Sequence, residues 1–100
     1  MGQQKLNSTQ RKYLRGLAHH LNPVVMYGQH GLTPAFLQAM EKALSDHELI
    51  KMKFIDGKEE KKALATEIAQ KTAAALVGLV GNVGIYYRAN LKKKNKILLP

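Results

Sequence analysis

One hundred residues with 45% hydrophobic content can fill one modest core, so a single domain spanning residues 1–100 is expected. The absence of cysteine excludes a disulfide framework and any thiolate metal site, and it fits a reducing compartment. Sixteen Lys and Arg against seven Asp and Glu give a net charge of +9, which favours polyanionic partners, nucleic acid ahead of an anionic membrane. Residues 1–5 carry no apolar signal-peptide core, and Leu6 stands where a myristoylation motif has Ser or Thr. The longest apolar run, residues 73–87, is too short for a bilayer and is broken by Gly78, Gly81, Asn82 and Gly84. A cytoplasmic protein without a membrane partner is the expectation.

The first helix is expected over residues 7–21. Asn7 is a suitable N-cap with Gln10 as its reciprocal partner, and Leu14, Leu17, Ala18 and Leu21 recur at helical spacing as the buried stripe. Arg11, Lys12 and Arg15 fall off that stripe and face water or a ligand. Asn22-Pro23 forces extended backbone. Val24, Val25, Met26 and Tyr27 then form an unbroken apolar run, expected as a strand buried on both faces. A Gly28-Gln29-His30-Gly31 turn follows, after which Thr33 is a good N-cap and Pro34 suits the first position of a helix.

That second helix is expected over residues 34–46, with Phe36, Leu37, Met40, Ala43 and Leu44 on its apolar face. Residues 49–55 alternate: Ile50, Met52 and Phe54 on one side, Lys51 and Lys53 on a wet, basic side. Asp56 and Glu59 form a second helix-start signature, and the third helix, reaching residue 71, buries Leu64, Ala65 and Ile68. Residues 76–80 and 83–88 read as strands joined by a Gly81-Asn82 hairpin. Beyond residue 88 the periodicity is lost; residues 92–96 form a basic tail, and the apolar residues 97–100 are placed to dock back. The sum is α-β-α-β-α-β-β, an α/β chain of the α+β two-layer type. Helices stack on a four-stranded mixed sheet whose first two strands are parallel. The core is expected over residues 7–88, the tail over 89–100.

Strand, glycine-rich turn and capped helix start point backbone N–H groups and the positive end of a helix dipole at one spot. A sugar–phosphate chain can approach closely where Gly28 and Gly31 lack Cβ atoms, as in the Gly-x-x-Gly loop of KH domains. Gln29 and His30 complete that loop, and His30 can donate to a phosphate. The charges are also segregated: residues 1–20 and 88–96 carry no acid, and all seven acids lie between Glu41 and Glu67. The glycines at 78, 81 and 84 superficially match a dinucleotide fingerprint, but the spacing is wrong and a strand follows. His19, His20, His30 and His47 lack metal-ligand spacing, no serine has a strained-turn setting, and no acids are forced together. No metal, cofactor, small-molecule substrate or catalytic residue is expected.

The chain resembles the CRM domain (chloroplast RNA splicing and ribosome maturation), in particular its stand-alone bacterial YhbY-type members. The likeness is carried by Gln10-Arg11-Lys12-Tyr13-Leu14-Arg15-Gly16-Leu17-Ala18-His19, by Pro23 through Thr33, by His47-Glu48-Leu49-Ile50-Lys51 and by Gly84-Ile85-Tyr86-Tyr87-Arg88. The resemblance implies an RNA-binding fold similar to the C-terminal domain of translation initiation factor 3. It also implies association with large-subunit rRNA or its precursor particle during ribosome assembly. The family's loop motif falls on Gly28 to Gly31 and its basic helix on Arg11, Lys12 and Arg15. The family often has a basic residue inside the loop; Gln29-His30 here shifts the expected contact toward the backbone. Lys51, Lys53 and Arg88 are further expected RNA contacts on an open sheet face, where Tyr86 is expected to stack on an unpaired base. A monomer that binds RNA and is not an enzyme is the resulting expectation. A basic protein-interaction module or a general nucleic-acid binder without a ribosomal role is the alternative.

Overall fold

The computed structural model describes residues 5–100, so the N-terminal reading rests largely on residues outside the described ones. In chain order the elements are α1 (Ser8–Ala18), β1 (Pro23–Tyr27), α2 (Pro34–His47), β2 (Leu49–Phe54), a 3-10 turn (Lys58–Glu60), α3 (Lys61–Thr72), β3 (Ala75–Val80) and β4 (Val83–Tyr87). The strands form one sheet in the order β1-β2-β4-β3, parallel between β1 and β2 and antiparallel elsewhere. The expected α+β class, element order and mixed sheet are all present.

Two apolar clusters lie on opposite faces of this sheet. On one, α2 and α3 bury Phe36, Met40, Leu44, Ala65 and Ile68 against Val25, Tyr27, Ile50, Met52, Phe54 and Tyr86. On the other, Leu14 and Ala18 of α1 pack on Leu49, Ala75, Val77, Ile85 and Tyr87, so α1 adds a third layer to the helix-on-sheet arrangement. The caps explain two of the helix starts. Asn7 Oδ1 accepts from Gln10 N at 2.8 Å while Gln10 Oε1 accepts from Asn7 N at 3.1 Å. Thr33 Oγ1 accepts from Phe36 N at 3.0 Å, with Pro34 at the first position of α2.

Four expectations need correction. First, β1 is an edge strand buried on one face only: Val25 and Tyr27 point into the α2–α3 core, while Val24 and Met26 are 54% and 52% exposed. An edge strand outside the area covered by α1 needs apolar residues on a single face. Second, α1 stops at Ala18, and Leu17 and Leu21 lie outside the buried stripe. Third, Asp56 and Glu59 form no capping box; the left-handed Gly57 (φ +69°) leads through the 3-10 turn into α3, which has no side-chain cap.

Fourth, Tyr86 is fully buried and cannot stack on a base. It is paired across the ladder with Ile50, and directly opposed residues share a face, which here is the α2–α3 core. Its hydroxyl donates to Ala65 O at 3.1 Å, and its ring lies over Gly84, where a Cβ would come within 2.8 Å of Tyr86 Cε1. Burial pushes the Tyr86 hydroxyl well above the ordinary value of 10.0. The folded protein therefore keeps a proton that the unfolded chain gives up near that value, and the associated stability is complete below it and lost as the pH climbs beyond. Alkaline unfolding is expected to set in above that value. Tyr86→Phe should flatten this dependence while costing about 1 kcal/mol at neutral pH, as measured by denaturant melts at several pH values.

The C-terminal segment docks. Glu48 is 1% exposed, and its carboxylate accepts from Asn90 N and Ile97 N, both at 2.8 Å. Its own φ is +63°, a left-handed conformation disfavoured for a non-glycine, and the two bonds give that geometry a role. Ile97 and Leu99 rest on the α1-side cluster, and Gln10 Nε2 donates to Pro100 O at 3.3 Å. Burial, and then the nearby Glu48 charge, raise the pKa of Tyr87.

Candidate functional site

The glycine loop is set by hydrogen bonds of its own backbone. Gly31 N donates to Gly28 O at 3.1 Å and Thr33 N to Gly31 O at 3.0 Å, turning the chain from β1 into α2. Gly31 has a φ of +72°, which suits glycine and disfavours most other residues. Gly28 is different: its φ is not positive, and a Cβ built there meets nothing within 4 Å. No packing or torsional demand of the fold calls for glycine at that position. Gln29 and His30 are exposed, and Gly28, His30, Gly31 and Thr33 line a groove of about 430 Å³ against Val24 and Met26 of β1.

A second patch forms where α1 meets the sheet. Arg11, Arg15 and His19 repeat every four residues along one side of α1, with Lys12 beside them; all four are exposed. Arg15 lies over β3, close enough that a Cβ on Gly78 would approach its Cδ to 3.3 Å. Arg15 and His19 join Lys51, Pro23, Val80 and Val83 around a groove of about 340 Å³. Lys51 also donates to Leu21 O at 3.0 Å, which steadies the α1–β1 connection. Lys53 stands next along β2, in register with Met26 on one side and Val83 on the other. The sheet face beyond α1 is therefore open in part, and Lys51 and Lys53 lie on it as expected from their alternation. Pro23 lines this groove and Val24 the loop groove, so β1 connects the two.

Arg88 is placed elsewhere. Its guanidinium donates to Glu41 Oε1 and Thr72 O, both at 2.8 Å, and to Ser45 Oγ at 3.2 Å. It ties β4 to α2 and α3, so its expected place on the open sheet face is corrected to a structural one. Arg88→Ala should destabilise the fold by about 2 kcal/mol, read from denaturant melts. By contrast, Arg11, Lys12, Arg15 and Lys53 form no ion pair with the described residues. The acids lie on α2, α3 and the turns at either end of β2, and three cations there, Lys42, Lys71 and Arg88, are paired with them.

Two features were missed from sequence. His19 continues the line of Arg11 and Arg15, and its four-residue spacing from Arg15 was the available signal. Gly16, in the interior of α1, is exposed and a Cβ there meets nothing within 4 Å. Such a glycine weakens a helix by about 1 kcal/mol relative to alanine, and the fold gains nothing from it. Gly16→Ala is expected to raise the thermal midpoint by about 4–8 °C; if the polyanion expected from the sequence lies along this side of α1, the added methyl should also weaken its binding severalfold. Calorimetry and a binding titration on the same sample test both halves.

Among the described residues, no three metal-ligating side chains cluster, and no helix is long and apolar enough to cross a membrane.

A profile of the CRS1 / YhbY (CRM) domain family matches residues 6–88. A Haemophilus influenzae protein named as RNA-binding is 44% identical over 96 residues, covering 95% of each chain. A probable RNA-binding protein of Pseudomonas aeruginosa is 37% identical over 94 residues, covering 93% of this chain and 89% of its own. The solution structure of a Staphylococcus aureus protein described as a candidate RNA binder superposes with a TM-score of 0.81 at 31% identity, covering 96% of this chain and all of its own.

Proposed function

The chain belongs to the CRS1 / YhbY (CRM) domain family, and on that premise we propose that it binds RNA through the glycine loop and the basic side of α1. Backbone amides of the 28–31 loop meet the sugar–phosphate chain, and the start of α2 adds the positive end of its dipole. Arg11, Lys12 and Arg15 extend the contact along α1, with Lys51 and Lys53 on the open part of the sheet. The observation that carries this reading is Gly28, a glycine that the fold does not require, placed in an exposed loop beside a groove. No carboxylate from α1, β1, β3 or β4 opposes a phosphate on this side, since those elements contain no acid.

The RNA is large-subunit rRNA within an assembling ribosomal particle, and the protein acts there as a cytoplasmic, monomeric, non-catalytic assembly factor. The family resemblance supports the ribosomal part, and the basic surface supports the RNA part. Crosslinking in living cells followed by sequencing of the attached RNA tests the assignment. Enrichment of precursor large-subunit rRNA is expected. Enrichment of unrelated transcripts would remove the ribosomal role, and recovery of protein partners that survive nuclease treatment would favour a protein-interaction module.

A further inference from the structure

At the end of β1 opposite the glycine loop, a larger groove of about 550 Å³ opens between the end of α1, the end of α2 and the docked C-terminal segment. Its floor is apolar, with Leu17 and Leu21 supplying half-exposed surface, and its rim is polar, built from His20, Asn22, His47 and Lys93. None of its lining residues is acidic. Val24 lines both this groove and the loop groove, so the two join along the exposed edge of β1. From Val24 to Gly28 is four residues of strand, about 13 Å.

We propose that this second groove takes an unpaired nucleotide of the same RNA strand that lies on the glycine loop. An apolar floor and a polar rim that includes one lysine together suit a nucleotide: the base needs a surface that excludes water, and the phosphate needs a donor with positive charge nearby. Lys93 supplies that charge, and Lys92, Lys94 and Lys96 lie on the same segment. The wall is built, because the buried Glu48 carboxylate grips the segment on both sides of its lysines, at Asn90 N and at Ile97 N. Among the described residues, Lys93 Nζ donates only to a neighbouring carbonyl, Asn95 O at 3.0 Å, a bond that a phosphate readily replaces. His20 packs edge-on against His19, which lines the α1 groove together with Arg15, so the two grooves adjoin.

This inference rests on the RNA-binding reading and is tested together with it. The full chain is titrated with oligouridylates of about four and about eight nucleotides, the shorter matching what a Gly-x-x-Gly loop clamps. Amide signals of residues 28–31 should shift with both, whereas the ring signals of His20 and His47 should shift with the longer one alone. The longer probe should bind about tenfold more tightly, the gain expected for one additional held base. His47→Glu, and from a separate wall Lys93→Glu, should each reduce that advantage to about twofold or less and leave the shorter probe unaffected. If neither oligomer moves the 28–31 signals, the RNA-binding reading itself fails. If both do, but the advantage of the longer survives both variants, this groove is not part of the RNA path.

Discussion

Gly28→Asp is expected to lower the affinity for large-subunit rRNA fragments at least tenfold while the thermal midpoint stays unchanged. The stability half follows from the geometry: the new Cβ enters open space, and no positive φ has to be strained. The affinity half follows from charge. A carboxylate placed about 4 Å from a phosphate repels it by about 1 kcal/mol in bulk water and about 4 kcal/mol near a protein surface, and 1.4 kcal/mol is already tenfold. Gly31→Asp is the less clean test, since its left-handed backbone adds a conformational cost of about 1 kcal/mol that Gly28 escapes. A Gly28→Asp protein that binds as tightly as the wild type would mean that the ligand chain does not approach this loop.

Combining Arg11→Ala, Lys12→Ala and Arg15→Ala should weaken binding at low salt on the order of a hundredfold, at about 1 kcal/mol for each exposed ion pair with a phosphate that is removed. The salt dependence should change with it. If about five phosphates are neutralised, log K falls against log salt with a slope near −3.5, and neutralising about two leaves a slope near −1.4. All three side chains are exposed and unpaired by described acids, so the fold should tolerate their loss. The control is a matching triple change on the acidic side of the molecule, Lys42→Ala, Lys62→Ala and Lys71→Ala, which should alter the slope little. Two of those lysines already pair with Asp46 and Glu67.

The elements were legible in the chain because their signals are local. Asn7 with Gln10 and Thr33 with Pro34 announce two helices by capping chemistry that depends on neighbours at most three residues away. The alternation of residues 49–55 likewise gives the faces of β2 without knowledge of its partners. What the chain concealed depends on which strand lies at the edge and on which face each helix covers. The apolar run of β1 looks the same for a central strand and for an edge strand, and only the sheet order decides that Val24 and Met26 stay exposed. Tyr86 and Lys51 belong to different strands, so their placement on opposite faces follows from a register that periodicity alone does not contain. Arg88 was expected on the wrong face, and Glu48 was given no role, for a related reason. Their partners lie 16 to 47 residues away for the one and 42 and 49 for the other.

The loop was legible as a motif, and the structure adds the steric reason that separates its two glycines. Gly31 serves the turn, whereas Gly28 serves nothing inside the fold. The basic helix was legible as composition, and the structure adds the line from Arg11 through Arg15 to His19 and its meeting with Lys51 at the end of β1.

The most direct test is ultraviolet crosslinking of the full chain to a large-subunit rRNA fragment, with the attached residues located by peptide mass spectrometry. Attachment should fall on the α1 peptide that carries Arg11 to Arg15 and on the peptide that carries residues 28–31. Attachment confined to the opposite side, around Lys42, Lys62 and Lys71, would contradict the account.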